Sequence, residues 1–429
     1  MDKRTKIIAT ISDKRCEVEF ISSLYEAGMN AVRINTAHVT TRSAATIVEN
    51  VRRVSEKIAI IIDTKGPEIR LTGMAAGFES GIPIEKGQLV RMKGTAEDRP
   101  SSDQTIYLND PTIYDAVPTG SIILIDDGEL ELQVVDKADD ELVCEVHNGG
   151  VIKPRKSVNI PGVPIDLPSV TDKDHEFINW AIDMDIDFIA HSFVRKKSDV
   201  LAVKKILKDR NSSIKIISKI ENSEGVDNID EILDETYGIM VARGDLGVEI
   251  PAERIPVTQR LLVKKCIESK KPVIIATQML HTMIEHPRPT RAEISDVANA
   301  IYQRVDAVML SGETANGLYP VEAVATMARV AREIENDEVN NGPNIDMNLV
   351  RINNEITAQL ARSAVRASIN LRVKAIVIDT LSGRTGRYVA AFRGQMPVYA
   401  VCYRKSTMRQ LALSYGVHAI YCEPSVSRE

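Results

Sequence analysis

Short β-branched apolar runs recur along this chain, each followed by a stretch of helical periodicity. They lie at Lys6–Thr10, Ala31–Ile34, Ala59–Asp63, Phe188–His191, Lys215–Ser218, Gly238–Val241, Val273–Ala276 and Ala307–Leu310. Runs apolar on both faces predict parallel strands covered by helices. Thr290 followed by Glu293 predicts a capping box just after Pro287 and Pro289. Ile294, Val297, Ala298 and Ile301 form that helix's buried stripe. Pro320 predicts the first residue of another helix, with Val321, Val324, Met327, Ala328 and Ala331 repeating at helical spacing. Eight strand–helix units are the count of a (β/α)8 barrel, and a doubly wound open sheet is the alternative. The count, and the clustering of polar residues at the strands' C-terminal ends, favour the barrel.

Between the third and fourth runs the texture changes. Residues 67–167 alternate apolar and polar positions, most clearly from Ser121 to Leu132, and are punctuated by Gly and Pro. This predicts an inserted, barrel-like β-domain at a βα loop, placed as a lid over the barrel mouth. After about Asn336 a linker rich in Asn, Asp, Gly and Pro is expected, from Glu338 to Asn348. A third α/β unit follows: a helix near Ile352–Ile369, strands at Ala375–Asp379 and Val398–Val401, and a last strand near Ala419. The expected units are a barrel at 1–66 and 168–335, the lid at 67–167, and a C-terminal α/β domain at 336–429.

Composition narrows the function classes. The 429 residues carry 54 basic and 60 acidic side chains, a net charge of −6. Such a chain is a poor nucleic-acid binder, because phosphate neutralisation supplies most non-specific affinity. Aromatics at 4% offer few base-stacking platforms. No apolar run approaches the ~20 residues of a spanning helix, and no leader is expected from the N-terminal residues. Cys16, Cys144, Cys266, Cys402 and Cys422 are scattered and odd in number. They read as free thiols in a reducing, cytoplasmic setting.

The strand ends carry the candidate chemistry. In order they offer Arg33 and Asn35, Asp63, Ser192 and Arg195, Lys219 and Glu221, Arg243 and Asp245, Thr277 and Gln278, and Ser311 and Glu313. In a barrel these converge on one mouth. Glu221 and Asp245 suit Mg²⁺ or Mn²⁺ with water and substrate oxygens as further ligands. Ion pairs with Lys219 or Arg243 are the other reading. Arg33, Lys219 and Arg70 around such a metal would make a site for a phosphoryl group. Gly244-Asp245-Leu246-Gly247 is either a loop whose amides take an anion or a tight turn. His281, His286 and Trp180 read as surface or packing residues. No GxxxxGK[ST] or GxGxxG is present.

Together these segments resemble the pyruvate kinase family. The residues that carry it are Thr5–Thr10 (TKIIAT), Gly28–Asn35 (GMNAVRIN), Asp63–Arg70 (DTKGPEIR), Ile216–Asn222 (IISKIEN) and Gly238–Gly247 (GIMVARGDLG). Ala276–Leu280 (ATQML), Pro287–Ala300 (PRPTRAEISDVANA) and Met309–Thr314 (MLSGET) continue in the family's order. The resemblance implies a glycolytic kinase, a homotetramer, that moves the phosphoryl group of phosphoenolpyruvate to ADP, giving pyruvate and ATP. It implies that Arg33 holds the substrate phosphate and Lys219 stabilises the phosphoryl group in flight. Glu221 and Asp245 would hold Mg²⁺. The Gly244 and Asp245 amides would meet the substrate carboxylate, with Thr277 near the carbon to be protonated. Asn35, His38, Arg70 and Lys156 would reach the nucleotide phosphates, although Ser157 replaces the family's glycine. A metal-dependent carbon–carbon lyase and a non-catalytic, effector-sensing relative are the rivals.

Two expectations concern departures from the family. Its K⁺ site aligns with Asn35, Ala37, Asp63 and Thr64, and Ala37 lacks the family's serine hydroxyl. Glu68 is the residue type that accompanies K⁺ dependence there. K⁺ is therefore expected to activate, with weakened affinity. In the third unit, Thr380-Leu381-Ser382-Gly383-Arg384-Thr385-Gly386-Arg387 reads either as a phosphate cradle with Arg384 and Arg387 adding charge, or as a helix cap. The resemblance makes Thr380, Ser382, Gly383, Arg384 and Thr385 the holders of an effector phosphate. Family members usually continue beyond the position of Glu429, so one phosphate rather than a sugar bisphosphate is expected.

Overall fold

The computed structural model describes residues 3–341, 346–371 and 373–424. Eight parallel strands close into a barrel: Lys6–Thr10, Ala31–Asn35, Ala59–Asp63, Phe188–His191, Lys215–Ile220, Gly238–Ala242, Val273–Ala276 and Ala307–Leu310. Their alternation sorts two apolar sets. Ile8, Ile61, Phe188, Ile217, Met240, Ile274 and Met309 fill the interior. Ile7, Ile60, Ile189, Ile216, Ile239 and Ile275 face the surrounding helices. Isoleucine suits both environments because its branched side chain packs on a pleated surface.

The helix Arg291–Tyr302 starts with the expected reciprocal cap between Thr290 and Glu293. Its stripe is shifted: Val297, Ala300 and Ile301 are buried, while Ile294 and Ala298 are only half-buried. The helix from Pro320 runs to Asn341, into the expected linker. Glu338 on it pairs with Arg304 at 3.0 Å, and Asp337 accepts from the Tyr302 hydroxyl, so these turns are tied to the barrel. Part of the expected linker, 342–345, lies outside the described residues, as do 425–429 with the terminal Glu429.

The insert has its own apolar core. Its main sheet runs in the order Val158–Asn159, Ile122–Ile125, Leu130–Ala138, Glu141–Val146, Leu89–Gly94 and Ile106–Leu108. A two-stranded ribbon pairs Ile82–Ile84 with Gly150–Ile152. The C-terminal unit stacks parallel strands Ile376–Thr380, Val398–Cys402 and Val417–Tyr421. Its first helix is Ile356–Asn370, four residues later than expected at the start. This unit docks on the barrel's N-terminal end. Arg409 is buried there, donating to Asp187 and Asp185 at 2.5 Å each. Among the described residues no helix is long and apolar enough to cross a membrane, and all five cysteines are free.

Candidate active site

Register builds the barrel mouth. Thr10 lies beside Arg33, and Asn35 beside Asp63, on adjacent strands. Arg33 donates from Nε to Asp63 Oδ2 at 2.5 Å and from a terminal nitrogen to Thr10 Oγ1 at 3.1 Å. Lys219 Nζ stands 3.0 Å from Asp63 Oδ1, 2.9 Å from Glu221 Oε1 and 2.7 Å from Ser192 Oγ. Asp63 thus bridges the two cations, and Lys219 bridges the two carboxylates. Lys219 is not past the fifth strand's end, as expected, but inside it, paired in register with Met240. Its position is fixed by ladder hydrogen bonds rather than by a loop.

The charges hold one another. Burial would raise the Asp63 pKa, but Arg33 and Lys219 keep it below the usual carboxylate range. Burial would depress the Lys219 ammonium, but Asp63, Glu221 and Asp245 hold its pKa above the ordinary lysine value. Burial, against the pull of Lys219, pushes Glu221 up to about 7, with Asp245 adding to the rise. Lys219 therefore stays charged, and Glu221 is a carboxylate short of positive charge. Glu221 Oε2 accepts from the Phe193 amide at 2.7 Å. Its Oε1 meets Lys219 only as a charge contact and lacks an aligned donor. Asp245 stands half-buried on the next strand's end. Two hard oxygen donors, one not fully satisfied, fit a divalent cation that completes its shell with other oxygens.

The GDLG segment is neither a loop nor a tight turn. It lies inside a short helix, Arg243–Glu249, that begins at the strand end. The Gly244 amide donates to Thr277 Oγ1 at 2.8 Å. Thr277 and Gln278 both adopt left-handed backbone, φ 67° and 54°, a conformation costly for a β-branched residue. Arg243 explains how it persists. It donates to the Thr277 carbonyl at 2.8 Å and pairs with Asp296 at 2.8 Å. Arg243 is therefore a positioning residue and not a partner of Asp245.

Above the mouth lies a cleft of about 710 Å³ shared by lid and barrel. Arg70, Asp126 and Lys156 line it from the lid side, and Asn222 and Asp245 from the barrel side. Arg70 donates to Glu68 at 2.7 Å and to the Arg155 carbonyl, while Lys156 pairs with Asp126 at 2.7 Å.

Both matched family models cover this architecture. The pyruvate kinase barrel domain matches residues 2–324, and the pyruvate kinase alpha/beta domain matches residues 358–429. The chain belongs to the pyruvate kinase family. A Borreliella burgdorferi protein named pyruvate kinase is 48% identical over 428 residues, covering 98% of this chain and 86% of the relative. Pyruvate kinases of Geobacillus stearothermophilus and Bacillus licheniformis are 46% and 45% identical, over 97% of this chain and 71% and 72% of theirs.

Within this pyruvate kinase fold, Arg33, Asp63, Lys219 and Glu221 meet directly, with Asp245, Gly244 and Thr277 on the adjoining strand ends. Asn35 Oδ1 accepts from the Ala37 amide, and the Thr64 carbonyl from Ser192 Oγ at 2.7 Å. His38 is exposed. Besides Arg243, two further expected mouth residues turn elsewhere. Arg195 donates to the Ile165 and Leu167 carbonyls and to Asp199, stapling the chain's return from the lid. Glu313 accepts from the Leu280 and Ser311 amides, and Gln278 is exposed. In the C-terminal loop, Thr380 Oγ1 accepts from the Gly383 amide, and Ser382 and Arg384 are exposed. Arg387 adds no charge to that loop; it stacks over Tyr237 at 4.5 Å on the barrel.

Sequence reasoning passed over His191. It is fully buried, and neither ring nitrogen has a hydrogen-bond partner. Burial pulls its pKa down to about 4, against the charges of Asp199 and Asp174. Those two carboxylates anchor both crossings to the lid. Asp174 accepts from the Lys65 amide at 2.9 Å, and Asp199 from Ser169 Oγ at 2.7 Å. A histidine ending an otherwise apolar strand was the available signal.

Proposed function

We propose that this chain transfers the phosphoryl group of phosphoenolpyruvate to ADP, giving pyruvate and ATP, with Mg²⁺ and K⁺. The observation that carries this reading is Lys219, buried and charged, within 3.0 Å of both Asp63 and Glu221 and sharing Asp63 with Arg33. Phosphoryl transfer through a loose transition state needs positioning and charge neutralisation more than covalent chemistry. Arg33 holds the phosphate, and Lys219 neutralises charge on the group in flight. Glu221 and Asp245 hold the divalent ion, which stabilises the enolate oxygen when bound. The Gly244 amide now bonds Thr277 Oγ1. A substrate carboxylate arriving at this amide takes the hydroxyl's place as acceptor, leaving the hydroxyl, which donates to the Ala276 carbonyl at 2.7 Å, beside the carbon to be protonated.

Asn35, His38, Arg70 and Lys156 take the nucleotide phosphates, and closing of the lid then excludes water. Asn35 Oδ1 and the Thr64 carbonyl each take one donor and can offer K⁺ a further lone pair, and Asp63 adds a carboxylate that Arg33, Lys219 and Ser192 already engage. Ala37 supplies no side-chain oxygen, and its carbonyl faces Lys173 Nζ at 3.4 Å. Thr380, Ser382, Gly383, Arg384 and Thr385 take one effector phosphate, and the assembly is a homotetramer acting in the cytoplasm. A lactate-dehydrogenase-coupled assay tests the core reading. Pyruvate should appear only with phosphoenolpyruvate, ADP and a divalent cation together. Pyruvate formed without ADP would point to lyase chemistry and contradict it.

A further inference from the structure

A second polar cluster lies far from the mouth, where the C-terminal unit meets the barrel's N-terminal end. A cavity of about 10 Å³, room for one small particle, is lined by Lys270, Lys271, Asp306, Arg387, Arg393 and Ser414 among others. Three buried side-chain atoms of these residues have no hydrogen-bond partner: Arg387 Nε, Arg393 Nε and Ser414 Oγ. Arg393 is 5% exposed and Ser414 1%. Leaving such groups unpaired costs about 1–3 kcal/mol each, so three on residues that line one cavity point to a missing partner.

The chemistry of that partner follows from the balance of donors and charge. Asp306 is the carboxylate of the lining, and it is saturated. It takes Arg393 through both oxygens at 2.7 and 2.6 Å, and the Val273 and Tyr415 amides at 3.0 Å each. Lys270 pairs with Glu355 at 3.4 Å. Arg387 and Lys271 have no carboxylate partner among the described residues. Lys271 donates to the Thr236 carbonyl, and Arg387 covers the Tyr237 ring. Burial, and then the Arg387 charge, hold Lys271 down to about 8. The side chains thus present donors and surplus positive charge, which suits a pure acceptor. A water molecule would also need acceptors for its own two protons.

We propose that this cavity binds one chloride-sized monovalent anion that ties the C-terminal unit to the barrel. Lys271 and Asp306 come from the barrel, and Arg387, Arg393 and Ser414 from the C-terminal unit. Anion binding and domain docking are therefore linked: an anion that binds only the docked state stabilises it by mass action.

Crystals of the full chain grown in potassium bromide, with anomalous data collected at the bromine edge, test the site. A peak within hydrogen-bond reach of Arg387 Nε, Arg393 Nε and Ser414 Oγ is expected. Melting temperature in potassium chloride or bromide, against potassium gluconate at equal ionic strength, tests the linkage with K⁺ held constant. Halide should raise it by roughly 2–4 °C or more, and Arg387→Gln should remove most of that difference. Density without anomalous signal, halide-independent melting of the parent chain, or a full halide response in Arg387→Gln each overturns the proposal.

Discussion

The barrel mouth and the lid side of the cleft both carry charged side chains but arrange them differently. In the mouth, Arg33, Asp63, Lys219 and Glu221 come from three different strands and meet within 3.0 Å. In the lid, Arg70 pairs with Glu68, two residues away in the chain. Lys156 pairs with Asp126 of the same domain. The mouth pairs are almost fully buried, whereas Arg70 and Lys156 are each 38% exposed at the side chain. Exposed pairs are worth about 0–1 kcal/mol and exchange readily. Breaking a buried network strands a charge and costs several kcal/mol. The half of the site that would meet phosphoenolpyruvate is thus prebuilt. The half that would meet the nucleotide holds its cations on local partners until a ligand takes them.

The largest effect should come from the prebuilt half. Lys219→Met should lower kcat by on the order of 10²–10³, as loss of one preorganised electrostatic group does, with a smaller change in phosphoenolpyruvate KM. Near-normal kcat in steady-state assays would break the comparison at its strongest point.

The border between the halves gives a pH test. His191 feels the charge of both carboxylates that anchor the lid crossings, yet burial holds its folded pKa at about 4, below the ordinary histidine value of 6.5. Above pH 6.5 it is neutral whether folded or unfolded, and its contribution is intact. As pH falls from 6.5 to 4 the unfolded chain takes up a proton that the folded chain refuses, so stability is lost. That loss is up to about 3 kcal/mol. Urea unfolding of the parent chain and His191→Leu at both pH values should show the parent losing more by that amount. Parallel pH profiles would contradict it.

The lid cations should give a smaller and more selective effect. Lys156→Met should raise the KM for ADP by roughly tenfold, the scale of one charge-assisted contact, with little change in the KM for phosphoenolpyruvate. Smallest of all, Ala37→Ser should lower the half-saturating K⁺ concentration a few-fold by restoring one neutral oxygen to the proposed cation site. An unchanged K⁺ titration would remove Ala37 from that site.

The barrel was legible because each strand is a short β-branched run between helical stripes, and five of the eight strands end where the pattern ends. The second, fifth and sixth overrun it, to Asn35, Ile220 and Ala242. In the second and fifth, strand pairing continues through the polar residues Asn35 and Lys219, while the sixth adds only Ala242. The pattern treats a polar residue as the end of an apolar strand, although the backbone ladder does not depend on side-chain polarity. The mouth residues could be read from strand ends because closure of a barrel brings all ends together. Direction could not be read: Arg195 and Arg243 sit at the same ends as Arg33 yet turn to Asp199 and Asp296. The lid pairings were also hidden, since Lys156 and Asp126 are thirty residues apart and only the fold of the insert joins them.

The distinction between a prebuilt mouth and a locally paired lid is tested most directly by calorimetric titration of phosphoenolpyruvate with Mg²⁺. The titration compares the parent chain with the Arg70→Gln, Lys156→Gln double variant, without nucleotide. Phosphoenolpyruvate affinity should be the same in both proteins, while a parallel titration with ADP loses most of its signal in the variant. A matching loss of phosphoenolpyruvate affinity would show that the lid cations already belong to the substrate half, and would contradict that distinction.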